Sequence, residues 1–257
     1  MKNIRCYTEK PFGVNIPLDL PYAGTLIDLV LKEQVGVVIT AAGNPSHYTD
    51  VLKNEGIKVL HVVSQVKQAQ MAESCRVDAV IAEGIEAAAH NGPDELPLFS
   101  LIPQITDAVS IPVIAAGGIV DARGVVAAMA LGAEGVQLGT RFVVVEENIA
   151  HQNYKKAIID AGDTDTVITC RSILPTRSLK TDFTWTLLEL EKSGAAAESI
   201  QDFIGYRSNR IAQIEGNLNG GEAYCGASAG LIKEILPAKE VIRRLIEGYV
   251  TVLKQLN

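Results

Sequence analysis

A chain of 257 residues with a formal net charge of −7 and 47% hydrophobic residues holds one large α/β domain or two small ones. The acidic balance, with no run of Lys or Arg, excludes general nucleic-acid binding. No stretch is long and apolar enough to span a bilayer, and no secretory signal is present. Cys6, Cys75, Cys170 and Cys225 stand in no CxxC or other ligand spacing. A disulfide framework or a structural metal is therefore not expected, and the chain reads as a cytoplasmic protein with reduced thiols. A small anionic ligand stays open, because backbone amides hold a phosphate without a basic surface.

Apolar runs suited to strands lie at 12–18, 35–40, 58–63, 79–82, 112–116 and 135–138. Helical segments alternate with them at 22–33, 46–55, 65–74, 98–108 and 122–130. Continuous apolar strands, filled by small and β-branched residues, suit a parallel sheet covered on both faces. The regular βα repetition favours a TIM-type (β/α) barrel over an open doubly wound sheet. Six units are present, where a closed barrel needs about eight. From Arg141 onward the strand rhythm stops, and helices are expected at 150–161, 183–193, 199–214 and 240–254. The expected organisation is an incomplete barrel over 1–142 with a helical C-terminal appendage over 143–257, packed across the barrel mouth.

The functional face of a parallel barrel lies at the C-terminal ends of its strands. Two glycine turns fall there on consecutive units: Ala116-Gly117-Gly118-Ile119 and Gln137-Leu138-Gly139-Thr140. Glycine lets the backbone approach a ligand, the following helix N-terminus offers amides to a phosphate, and Thr140 adds a hydroxyl donor. The order and spacing match the phosphate site that many barrels place after their last two strands, against the alternative of two plain tight turns. His90 follows the fourth strand among small residues, in Ala82-Glu83-Gly84-Ile85-Glu86-Ala87-Ala88-Ala89-His90-Asn91-Gly92. It is a candidate proton donor or acceptor beside a flat ring, with a surface loop histidine as an equal alternative. His61 reads as a strand residue, and His47 and His151 as helix-start or surface residues. Asn15, in Pro11-Phe12-Gly13-Val14-Asn15-Ile16-Pro17, presents an amide at the end of a strand. It suits a heterocycle edge or a phosphate, or else simply forms a turn.

These segments, together with Ala41-Ala42-Gly43-Asn44-Pro45-Ser46, Asp163-Thr164-Asp165-Thr166 and Ala229-Gly230-Leu231-Ile232, resemble successive motifs of the nitronate monooxygenase (2-nitropropane dioxygenase) family. That family includes the FMN-dependent enoyl-acyl carrier protein reductases. The resemblance runs from about Lys10 to the C-terminus and implies FMN at the mouth of a barrel. It places Asn15 and Glu83 on the flavin, Ala88 beside the cofactor, and the phosphate on Gly117, Gly118, Gln137, Leu138, Gly139 and Thr140. His90 matches the family's active-site histidine. Two departures stand out: Ala88-Ala89 replaces a pair of glycines before the histidine, and Gly226-Ala227 replaces Gly-Gln in the tail.

The family implies one of two reactions on a small-molecule substrate: oxidation of alkyl nitronates with O₂, or reduction of an enoyl thioester with NAD(P)H as the reductant. A non-catalytic relative and a flavin-free phosphate-sugar binder remain alternatives. In the family two further βα units precede the strand at 12–18, one carrying a Gly-Gly-Met loop that this sequence lacks. An open six-unit barrel is therefore expected. The strands at 12–18 and 135–138 would each keep an unpaired edge, prone to aggregation or to pairing with another copy as a homo-oligomer.

Overall fold

Short Val- and Ile-rich strands alternate with helices through the first half of the chain. The structure is a computed structural model and describes residues 2–206 and 208–256. In chain order the elements are α1 (Lys2–Arg5), β1 (Gly13–Pro17), α2 (Ala23–Lys32), β2 (Val37–Ala41), α3 (Thr49–Asn54), β3 (Lys58–Val63), α4 (Val66–Ser74) and β4 (Ala79–Glu83). Then come β5 (Ala89–His90), α5 (Leu98–Thr106), β6 (Val113–Ala116), α6 (Ala122–Ala130), β7 (Gly135–Gln137) and α7 (Thr140–Val143). Six strands pair in parallel in the order β1-β2-β3-β4-β6-β7. The result is six βα units of a TIM-type barrel, curled but not closed. Among the described residues β1 and β7 are each paired on one side only, as the sequence predicts.

Val38, Val59, Val80, Leu52, Ala69, Ala72, Leu101, Ile102, Ile105 and Ala115 are essentially sealed from solvent. They form one core between the sheet and its helices. At the N-terminal end of the strands, Asp78 ties two units together. Its Oδ2 accepts from the Val59 amide at 2.8 Å, and its Oδ1 lies 3.2 Å from Lys53 Nζ and 3.1 Å from Lys58 Nζ. Burial pushes its pKa up, but the Val59 amide and the two ammonium groups outweigh burial and hold the carboxyl below its ordinary value. That end of a barrel is where stabilising rather than catalytic residues belong.

The remaining elements are α8 (Gln152–Asp160), β8 (Thr166–Thr169), β9 (Thr176–Leu179), α9 (Asp182–Lys192), α10 (Ala197–Ile204), α11 (Ser208–Gln213) and α12 (Ala238–Leu256). Two expectations need correcting here. The C-terminal part is not wholly helical: β8 and β9 form an antiparallel hairpin that β5 joins, in the order β5-β9-β8. Thr166-Val167-Ile168-Thr169 is a β-branched run, and such residues pack well on a pleated surface. The helix expected over 199–214 is two helices. Gly205, with φ of +68°, ends α10 as a left-handed cap, its amide bonding to the Gln201 carbonyl at 2.9 Å. The last helix, α12, lies against α6 so closely that a Cβ on Gly248 would meet Ala122 Cβ at 2.6 Å.

Candidate active site

Two adjoining cavities open at the C-terminal ends of the strands, sharing Glu83, Ala88 and Gln137 in their walls. The smaller, about 100 Å³, lies between the Gly117-Gly118 turn after β6 and the Gly139-Thr140 turn after β7. The larger, about 510 Å³, spans the ends of β1 to β4 and takes Asn15, His61, His90 and Asn91 into its wall. Of the residues singled out by sequence, Asn15, Glu83, Ala88, His90, Gly117, Gly118, Gln137, Gly139 and Thr140 all line this cleft. Leu138 does not. Gln137 ends β7 facing the cleft, so the next side chain points the opposite way, and Leu138 packs into the core. Asn15 stands in the middle of β1 rather than at its end, between Val14 and Ile16.

The two glycine turns reach the smaller cavity by different means. Gly117 and Gly118 have φ of +104° and +69°, conformations that suit only glycine. A Cβ on Gly117 would lie 2.9 Å from the Gly84 carbonyl, so this turn is pressed against the β4 loop. Gly139 is different: a Cβ there would meet nothing within 4 Å, so open space lies over its backbone. The expected helix N-terminus after Gly118 is not available to a ligand. Helix α6 begins at Ala122, and Asp121 Oδ1 caps it by accepting from the Arg123 amide at 2.9 Å and the Gly124 amide at 3.4 Å. The start of α7 at Thr140 does border the cavity. Thr140 Oγ1 accepts from the Gly226 amide at 3.0 Å, which leaves its proton free to donate.

Sequence reasoning placed the C-terminal appendage across the barrel mouth but named none of the contacts that close this end. The segment 226–229 crosses from the C-terminal half and walls the smaller cavity with Gly226, Ser228 and Ala229. It is pinned by Ala227 N–H to the Glu86 carbonyl at 2.9 Å. The Glu86 carboxylate accepts from the Leu98 amide with both oxygens at 3.0 Å, capping α5. No local pattern announces contacts this distant in sequence.

Glu83 ends β4 with its side chain between the cavities. Burial raises its carboxyl to about 7. His61 is buried on β3 (3% exposed), with Nδ1 2.7 Å from Thr40 Oγ1. Burial lowers it to about 4, so it is neutral near pH 7. His90 sits on the short strand β5, opposite Thr176 of β9, and not on a free loop. The residue is exposed, and it lines both the larger cavity and a further one that it shares with Thr176, Glu222 and Tyr224. Its Nδ1 lies 2.9 Å from Thr176 Oγ1, and its ring meets Tyr224 edge-on at 5.8 Å between centroids. Neither Thr176 nor Tyr224 was legible as a partner. Ala89, the residue before His90, has φ of +64°, a backbone conformation that favours glycine. Among the described residues no group of three or more His, Cys, Asp or Glu is placed to hold a metal.

A parallel half-barrel with glycine turns, a buried carboxyl and a histidine on one cleft is an arrangement that whole-chain comparison can place. The family model for nitronate monooxygenase matches residues 20–248. The chain belongs to the nitronate monooxygenase family. It is 40% identical over 189 residues to an octahydro-indene carboxyl-CoA dehydrogenase of Rhodococcus jostii, covering 73% of this chain and 52% of that protein. The solved structure of FabK from Thermotoga maritima superposes with a TM-score of 0.95 at 42% identity, covering 99% of this chain and 81% of that one. A nitroalkane oxidase from Streptomyces ansochromogenes superposes with a TM-score of 0.85 at 28% identity, covering 100% and 85%. The chain spans about half the length of the curated relatives it matches. No helix of the described residues is long and apolar enough to cross a membrane.

Proposed function

We propose that this family member is an FMN-dependent oxidoreductase that oxidises alkyl nitronates with O₂. The observation that carries the reading is that the two glycine turns and His90 line two adjoining cavities that share Glu83 in their walls. The donor set fits FMN. The open space over Gly139 and the left-handed Gly117-Gly118 backbone form a cradle of phosphate size. The larger cavity, walled by apolar and amide side chains together with Asp19, Glu83, His61 and His90, has the volume of a ligand site. Gly117, Gly118, Gly139 and Thr140 would hold the phosphate through backbone amides and a hydroxyl, and Asn15, Glu83 and Gln137 would meet the ring system's polar edge. When bound, FMN supplies the electron acceptor that neither the protein nor the substrate provides.

The chain's own residues then have separable tasks. His90 exchanges a proton with the substrate, as a base toward a neutral nitroalkane or as a donor toward nitro oxygens. Glu83, protonated up to about pH 7, can donate a hydrogen bond where an ionised carboxylate could only accept one. The tail segment at 226–229 shields the cofactor end from water.

A second reading, reduction of an enoyl thioester with NAD(P)H, is favoured by the 42% identity to FabK over 99% of this chain. There His90 would steady a developing enolate. The FMN-loaded chain, made anaerobic, separates the two. Ethylnitronate bleaching the flavin supports nitronate oxidation. Bleaching by NAD(P)H, followed by recovery on adding crotonyl thioester, supports enoyl reduction. Neither response would contradict both. In whichever assay is active, His90→Ala should lower turnover by roughly 10²–10⁴-fold with FMN affinity unchanged, and unchanged turnover would remove His90 from the chemistry.

A further inference from the structure

We propose that Thr176 is a positioning residue that fixes the neutral form of His90 with its proton on Nδ1, leaving Nε2 as the lone-pair nitrogen. The inference deepens the reading of His90 given above and rests on it for its functional meaning. It starts from a count of donors. The Thr176 hydroxyl makes two short contacts, one to the Leu174 carbonyl oxygen at 2.9 Å and one to His90 Nδ1 at 2.9 Å. A hydroxyl has one proton, and a carbonyl can only accept. Both contacts are hydrogen bonds at once only if the Thr176 proton goes to Leu174 and His90 donates from Nδ1.

The surroundings hold this assignment in place. Thr176 is 1% exposed and sits on β9 directly opposite His90 of β5. The hairpin is further tied where Thr169 Oγ1 donates to the Thr176 carbonyl at 3.4 Å. Tyr224 packs edge-on to the imidazole, but its own hydroxyl is turned away and donates to Glu222 Oε2 at 2.8 Å. Ser208 donates to the same oxygen at 2.8 Å, and Glu222 is buried. The tyrosine therefore supports the ring without offering it an alternative partner. Among the described residues Nε2 has no hydrogen-bond partner.

The consequence is a direction for proton flow. Neutral His90 takes a proton at Nε2, for example from the carbon of a nitroalkane, whose electron pair stays behind as the nitronate. It donates from Nε2 only after it has become the imidazolium. A neutral donor at Nε2 would turn the Thr176 proton toward Nδ1 and leave the Leu174 carbonyl without it.

The tautomer can be read directly, without flavin or substrate. In protein labelled with ¹⁵N-histidine, long-range ¹H–¹⁵N correlation at a pH above the imidazole range distinguishes protonated from lone-pair nitrogens, and His90→Ala assigns the signals. The expected result is a protonated Nδ1 and a lone-pair Nε2 in the native chain and in Thr176→Ser. Thr176→Val should show the opposite tautomer or an average of the two. In the active assay, Thr176→Val should lose roughly 10- to 100-fold in turnover, with Thr176→Ser near native. A protonated Nε2 in the native chain overturns the proposal, as does a Thr176→Val spectrum identical to the native one. Should Thr176→Val fail to fold, Thr176→Ala takes its place with the same expectations. Failure to bind FMN would count against the flavin reading and leave the tautomer result standing.

Discussion

Glu83 and Ala89 show how single residues at the cleft are held at a cost to the fold. An unfolded glutamate ionises near 4.5, whereas Glu83 in the folded chain keeps its proton up to about 7. Between those values the unfolded chain has lost the proton and the folded chain has not, so stability falls as pH rises through this window and levels off above it. The total is on the order of 3 kcal/mol. Glu83→Gln should abolish that fall. Urea denaturation of both forms from pH 4.5 to 8 should show the variant gaining on the native chain until about pH 7; parallel curves would mean Glu83 is solvated. Ala89 carries a left-handed backbone at φ of +64°, which disfavours any Cβ. Ala89→Gly removes that strain but makes the unfolded chain more flexible, for a net gain of up to about 1 kcal/mol. A lower melting temperature for Ala89→Gly would contradict this account.

The elements differ in how plainly the sequence announced them. The strand expected at 58–63 is β3 to the residue, and the helix at 122–130 is α6 to the residue. Both are bounded by turn residues or a cap, such as Asp121 before α6. The β8–β9 hairpin was hidden because its strands are four residues each and rich in Thr, too short for a period to stand out. The same hairpin carries Thr176, and the pairing of β5 with β9 joins residues 86 apart. His90 could therefore be picked out by sequence while its partner could not. Leu138 lies outside the cavity lining for a simpler reason, the alternation of a strand beyond Gln137. At the opposite end of the sheet, Asp78 joins β3, β4 and the end of α3. Asp78→Ala removes an acceptor from the Val59 amide and should cost about 2 kcal/mol, mostly from that bond, since the two lysine pairs are partly exposed. The loss should shrink as pH falls through the native carboxyl's lowered value, because a protonated Asp78 no longer contributes. A variant as stable as the native chain at pH 7 would show that the cluster is ornamental to folding.

Across the whole molecule, six βα units suffice to set Asn15, Glu83, His90 and the two glycine turns around one cleft, although the sheet stays open at β1 and β7 among the described residues. The smaller cavity is completed from the far end of the chain, by 226–229. The cofactor end of the site therefore depends on both halves of the sequence. The central claim is that this cleft binds FMN through the paired glycine turns, and titration of FMN into the purified chain, followed by flavin absorbance and fluorescence, tests it most directly. The account predicts a saturable spectral change at one FMN per chain for the native protein. The change should be lost in Gly139→Val, whose side chain would fill the open space over that backbone without adding a left-handed strain. No saturable change in the native chain, or an equal change in Gly139→Val, would contradict it.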